Sequence, residues 1–265
     1  MATSEPHGGA GAAPNLSARR FFEEAHLVLK RLEETQLGAI EEAGRLLARA
    51  ILEGGVIQVF GSGHSAAFAM EMANRAGGLV PVNSLRLEDA IPPDRLGTLR
   101  DPSLERDPAM AAKVLAAHGI EPADAFIIVS NSGRNGAVVE LAAEVKRRGH
   151  RLVVVTSLDH TRRVTSRHPS GKKLYEFGDV VIDNCGPYGD ALLAVDGLRA
   201  RVCSISSITG AFIAQGLTAA ITAEMLRQGE EPPILLSANV DGGDEHNARL
   251  FEKYQGRIVY AAPKR

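Results

Sequence analysis

The stretch VIQVFGSGHSAAFAMEMANRAGG, residues 56–78, decides the fold. An apolar, β-prone run over 56–60 meets Gly61-Ser62-Gly63-His64-Ser65 and then passes into an Ala- and Met-rich segment with helical spacing. Strand, tight loop and helix N-terminus in that order form an anion site from backbone N–H groups, because the first amides of a helix lack partners and carry the positive end of its dipole. Two ligand classes suit such a loop, a dinucleotide and a phosphorylated small molecule.

Outward from this unit, short β-rich runs over 56–60, 79–82, 125–129, 152–156 and 180–182 alternate with helical segments near 65–77, 107–119, 135–148, 206–228 and 244–256. That alternation predicts an α/β fold, a three-layer α/β/α sandwich on a five-stranded parallel sheet covered on both faces. The Gly-, Ala- and Pro-rich residues 1–15 read as a mobile tail. Over 16–54 the pattern is helical: Phe21, Ala25, Val28 and Leu32 mark one face and Leu37, Ile40, Ala43, Leu47 and Ile51 another, so two helices are expected before Gly54-Gly55. These apolar stripes suit core or subunit contact. Residues 55–258 then form one domain, without internal repeats.

The 265 residues are 45% hydrophobic and 23% charged, enough to bury a full core. A formal charge of −2 provides no field for nucleic acid or an anionic membrane surface, so neither is expected as a partner. No apolar run approaches the roughly 20 residues of a membrane span, and residues 1–15 lack a secretory h-region, so a cytoplasmic location is expected. Cys185 and Cys203 lack metal-ligand spacing and are expected to be reduced.

Gly61-Ser62-Gly63-His64-Ser65-Ala66 alone fits the permissive dinucleotide fingerprint. That reading requires an acid at the end of the next strand, but 79–82 leads into Asn83-Ser84-Leu85, and Glu88 comes several residues late. A second polar loop, Ser130-Asn131-Ser132-Gly133-Arg134-Asn135, follows the strand in DAFIIVS and also opens a helix. In a flavodoxin-like strand order 2-1-3-4-5, the two loops meet at the topological switch point from helices on opposite faces. A compact phosphate monoester suits that convergence better than a pyrophosphate bridge. The plainer alternative is that these Ser and Asn residues are helix N-caps.

In VFGSGHS, IIVSNSGRN and the following LVVVTS the chain resembles the sugar isomerase, or SIS, domain family, over about residues 38–258. The resemblance implies a phosphosugar ligand, a homodimer or dimer of dimers with the site near the subunit interface, and no cofactor. It places Ser130, Asn131, Ser132 and Asn135 of the second loop, and Ser65 with Ser62 of the first, around the sugar phosphate; the loop reading itself adds Gly63 and His64. Where the family's second loop carries hydroxyls, Asn131 and Asn135 carry amides, which also donate. The whole-length pattern is similar to single-SIS bacterial proteins and, more distantly, to N-acetylmuramic acid 6-phosphate etherases. SLERDPAMAAKVLAAHGIEPADAFIIVSNSGRN places Glu105 on one etherase catalytic glutamate; ITGAFIAQG and DEHNARL resemble two further elements. The other etherase glutamate is replaced by Arg75, with Glu71 one helical turn earlier as its substitute.

Opening a hexosamine 6-phosphate exposes a C1 aldehyde that acidifies the C2 proton, which a glutamate can remove. Reprotonation at C1 is isomerisation; loss of the C3 substituent is β-elimination. The Glu105 match favours a lyase dehydrating an N-acetylhexosamine 6-phosphate such as N-acetylglucosamine 6-phosphate. Glu71 is then the expected base, Glu105 the acid and Glu88 a reserve carboxylate. An aldose–ketose isomerase, an etherase and a non-catalytic phosphosugar sensor are the alternatives. His64 reads as an anion donor or a loop cap, and His246, in DEHN, as a residue completing a partner's site. No metal is expected, because no second histidine stands at ligand spacing from His246. The basic stretch HTRRVTSRHPSGKKLYEF reads as a solvated loop or subunit contact.

Overall fold

A computed structural model describes residues 16–91 and 103–259. The expected tail over 1–15 lies outside them. Five parallel strands, β1 (Ile57–Gly61), β2 (Val82–Leu85), β3 (Ala125–Val129), β4 (Arg151–Thr156) and β5 (Val180–Asp183), form one sheet in the order β2-β1-β3-β4-β5. This is the expected order.

Alternation along the strands builds two cores. Ile57, Val59, Ile127, Val153, Val155 and Ile182 point to one face, where they meet α1 (Ala18–Leu52), α2 (Ala66–Met72) and α7 (Ser206–Arg227). Phe60, Leu85, Phe126, Ile128, Leu152 and Val154 point to the other, against α4 (Met110–Ala116) and α5 (Gly136–Arg147). Both faces are covered by helices, so the strands read as nearly continuous apolar runs. The helices that follow β1 and β3 therefore lie on opposite faces, as the switch-point geometry requires.

Where two N-terminal helices were expected, one 35-residue helix forms. Val28, Leu32, Ile40, Ala43, Leu47 and Ile51 are buried along a single stripe. Its gap is filled by Gln36, whose Oε1 accepts the Asp183 N–H at 2.9 Å. A polar side chain that caps a strand end thus looks, in one dimension, like a break between helices. Leu37 is 55% exposed and belongs to no core. The stripe packs on α7 so closely that a methyl group at Gly44 would lie 2.5 Å from Ala220 Cβ.

Three further differences have local causes. β2 begins at Val82 instead of residue 79, because Pro81 has no N–H for the ladder. Leu79 and Val80 instead pair antiparallel with the segment around Ile234, the Val80 N–H donating to Pro233 O at 2.9 Å. α2 stops at Met72, since Ala73 is extended and Asn74 is left-handed at φ 51°. The stretch after β5, irregular by sequence, contains a hairpin of β6 (Ala191–Leu193) and β7 (Val202–Ser204), turned over Asp196-Gly197. The short helix α3 (Ser103–Arg106), α6 (Leu158–Arg162) and α8 (Gly243–Lys253) complete the set.

Candidate functional site

Both polar loops leave the carboxyl ends of neighbouring strands, β1 and β3, which are paired through Gly61 and Val129 at those ends. In the first loop Gly63–Ser65 make one 3-10 turn before α2. Gly63 and His64 are exposed, while Ser62 and Ser65 are half-buried. In the second loop the Gly133 N–H donates to Ser130 Oγ at 3.2 Å, closing a tight turn.

Ser62, Ser65 and Asn135 occupy N-cap positions, yet none makes a side-chain cap bond there. Asn135 instead bridges two charged groups: its Nδ2 donates to Glu105 Oε2 at 3.1 Å, and its Oδ1 accepts from Arg167 Nη1 at 2.9 Å. Glu105 also reaches the first loop, since a methyl group at Gly63 would lie 3.3 Å from Glu105 Oε1. One carboxylate is thus held where the two loops meet.

The basic stretch after α6 has a role that its charge pattern concealed, for it braces the second loop. The Leu174 N–H donates to Gly133 O at 2.9 Å and the Arg167 N–H to Arg134 O at 2.8 Å. Desolvation, then the nearby Arg134 and Arg106 charges, lower the Arg167 guanidinium's hold on its proton, and Glu105 opposes them. The rim around Glu105 is therefore cationic.

Beneath the loops a cavity of about 20 Å³ is lined by His64, Ser65, Asn131, Asn184, Ser206 and Ser207. Sequence reading missed the last three. Ser206 and Ser207 begin α7, and Asp190 holds that helix end by accepting from the Ser206 N–H at 2.9 Å and Ser206 Oγ at 2.8 Å. No spacing rule links Asn184 to residue 131; only the adjacency of β5 and β4 and of β4 and β3 brings them together.

The remaining expected residues are placed as follows. Glu71 Oε1 accepts from Gln215 Nε2 at 2.6 Å and Oε2 pairs with Arg75, which folds back after α2 has ended. Glu88 is half-buried in a 3-10 turn after β2. His246 Nε2–H donates to the Ile234 carbonyl at 2.9 Å. Ser132 is half-buried within the second loop. A larger groove, about 670 Å³, opens beyond the C-terminal end of α2, between Arg75, Ser237 and Asn247, and contains none of the loop residues. Polar convergence, and not volume, singles out the loops. Among the described residues no helix is long and apolar enough to cross a membrane.

Residues 20–157 match the family profile described as the SIS domain. The chain belongs to the SIS domain family. It is 40% identical over 240 residues to a UPF0309 protein of Listeria monocytogenes, covering 91% of this chain and 98% of that one. A UPF0309 protein of Streptomyces coelicolor is 38% identical over 243 residues, 92% of this chain and 97% of that one. Among solved structures, phosphoheptose isomerase GmhA from Neisseria gonorrhoeae superposes with a TM-score of 0.53 at 17% identity, over 77% of this chain and 96% of that one. A phosphoheptose isomerase from Francisella tularensis does so with a TM-score of 0.52 at 15% identity, over 77% and 95%. At such identities the likeness is one of SIS fold.

Proposed function

We propose that this SIS protein is a phosphosugar lyase that binds an N-acetylhexosamine 6-phosphate on the two loops and eliminates water across C2–C3 of the open-chain sugar. The observation that carries the reading is the Glu105 carboxylate, held by Asn135 of the second loop and lying against Gly63 of the first. The phosphoryl group faces the loop amides and hydroxyls, and the sugar extends over exposed Gly63 and His64. Binding energy from the remote phosphate orients the reacting carbons.

In this proposal Glu105 takes the proton from C2, the C2–H electron pair becomes the C2–C3 double bond, and hydroxide leaves C3 as water with a proton from His64. The C1 aldehyde carries the developing charge, and the reaction is redox-neutral. Glu105 is preferred to Glu71 as base because both Glu71 oxygens already accept from cationic or amide donors. An acid for the departing group separates elimination from isomerisation, and His64, next to Gly63 and exposed, is the candidate. The etherase-like segment around Glu105 supports elimination over isomerisation.

The test is to incubate the protein with N-acetylglucosamine 6-phosphate in deuterated water, following ultraviolet absorbance of the unsaturated product and deuterium at C2 by NMR. The wild type should form that product. Glu105→Gln should abolish both product and C2 exchange, whereas His64→Gln should retain exchange and form product about 100-fold more slowly. A ketose phosphate in place of the unsaturated sugar would make the protein an isomerase, and a Glu105→Gln variant with wild-type turnover would overturn the assignment of the base.

A further inference from the structure

We infer that Asn184 is a positioning residue of the phosphoryl site: it holds the Asn131 side-chain amide so that its NH2 group, and not its carbonyl, is presented to the bound anion. The inference rests on the site proposed above and assigns a residue that the loop motifs do not contain.

An amide side chain has one accepting and one donating end, and a rotation of half a turn exchanges them. Here the choice is forced from a backbone group that can only donate. The Gly186 N–H donates to Asn184 Oδ1 at 2.9 Å. Asn184 must then offer its Nδ2 to Asn131, which accepts through Oδ1 at 2.9 Å. Asn131 Nδ2 donates to no protein group among the described residues, although Asn131 lines the cavity beside Ser65 and His64.

The relay is rigidly built. Asn184 is 4% exposed. Its N–H donates to Thr156 O at 2.8 Å. Between the two ends of the turn, Cys185 adopts the left-handed conformation at φ 58°, a rare state for a residue with a Cβ, and this brings the Gly186 N–H back onto Asn184 Oδ1. A methyl group at Gly186 would lie 3.0 Å from Asn184 Oδ1 and 3.8 Å from Asn131 Oδ1. The Asn131 backbone is held as well, its carbonyl accepting from the Ser157 N–H at 3.2 Å.

The consequence is selectivity. A site whose amide offers only protons favours an ionised phosphoryl group, which accepts at every oxygen, over a neutral hydroxymethyl group. A hydroxyl at position 131 could rotate and donate without help; an amide needs its orientation set. Asn131 and Asn184 therefore work as a pair.

The experiment is a double-mutant cycle read by isothermal titration calorimetry, with N-acetylglucosamine 6-phosphate and inorganic phosphate as probes. In Asn184→Asp, the second carboxylate oxygen accepts from Asn131 Nδ2 and turns the Asn131 carbonyl toward the anion. Affinity for both probes should fall about tenfold or more, with KM rising more than kcat falls. In an Asn131→Thr background the same substitution should weaken binding at least about threefold less, because the threonine hydroxyl reorients. Equal weakening in both backgrounds means a general charge or packing effect and overturns the inference, as does unchanged affinity in Asn184→Asp. Should that variant fail to fold, half-buried Asn131→Leu must reproduce the loss, and wild-type affinity in Asn131→Leu overturns it equally. Absence of saturable binding of either probe to the wild type would instead overturn the site reading itself.

Discussion

Arg257→Met is expected to destabilise the protein by about 3 kcal/mol, although residue 257 lies far along the chain from either loop. The Asp124 side chain is 0% exposed, and Arg257 Nη2 donates to its Oδ1 at 2.6 Å. Arg257 also pairs with Glu121, and its carbonyl accepts from Asn83 Nδ2 at 2.8 Å, so one residue ties the C-terminal segment to the amino ends of the strands. Methionine keeps much of the stem and leaves a buried carboxylate without its counter-charge. Removing one partner of a buried pair costs about 3–5 kcal/mol. The lower end applies here because three neutral donors remain on Asp124: the Val56 N–H, Gln58 Nε2 and the Glu121 N–H, at 2.9, 2.9 and 3.1 Å. For a chain of this size each kcal/mol moves Tm by about 2–4 °C, so a loss of about 6–12 °C is expected in a thermal scan. A shift under about 2 °C would refute the reasoning.

Two more substitutions probe the site and the acid limit of the fold. At Gly136 a methyl group would lie 2.1 Å from the Arg106 carbonyl oxygen, so Gly136→Ala should displace the turn that carries Glu105 and lower kcat/KM on the proposed substrate, N-acetylglucosamine 6-phosphate, by about 10- to 100-fold; steady-state kinetics with wild-type values would detach Glu105 from that contact. Burial opposes the charge of Asp89, but hydrogen bonds from His118 and the Arg86 N–H outweigh it and hold the carboxyl below its ordinary 3.8. With the folded value depressed, its stabilisation is complete above pH 3.8 and is lost as pH falls through the folded value. Asp89→Asn should therefore melt below the wild type at neutral pH and converge with it in acid, and a gap that stays constant with pH would contradict this.

Much of the frame was legible because its signals are local and repeated. Val56 to Phe60 and the apolar runs before Ser130 and Ser157 are buried on both sides, so β-branched residues crowd there whatever lies around them. Errors fell where a polar atom does a structural task. Gln36 occupies a core-facing position to hold β5, and Pro81 moves the start of β2 by withholding a donor. In the site, the serines and asparagines of both loops were visible as motifs. Their state was not: Asn135 looks like a cap and bridges Glu105 to Arg167 instead.

By itself the order of residues determined the strand–loop–helix units, the parallel five-stranded sheet and the two loops at its switch point, because backbone hydrogen bonding and apolar periodicity act over a few residues at a time. Only tertiary structure decided that Glu71 is bound up with Arg75 and Gln215, that Glu105 stands against Gly63, and that Asn184 orients Asn131. Each of those depends on which strands are neighbours and which way a side chain turns across a gap of tens of residues. Hydrogen bonds a few ångströms long carry no trace of such separations in the linear chain.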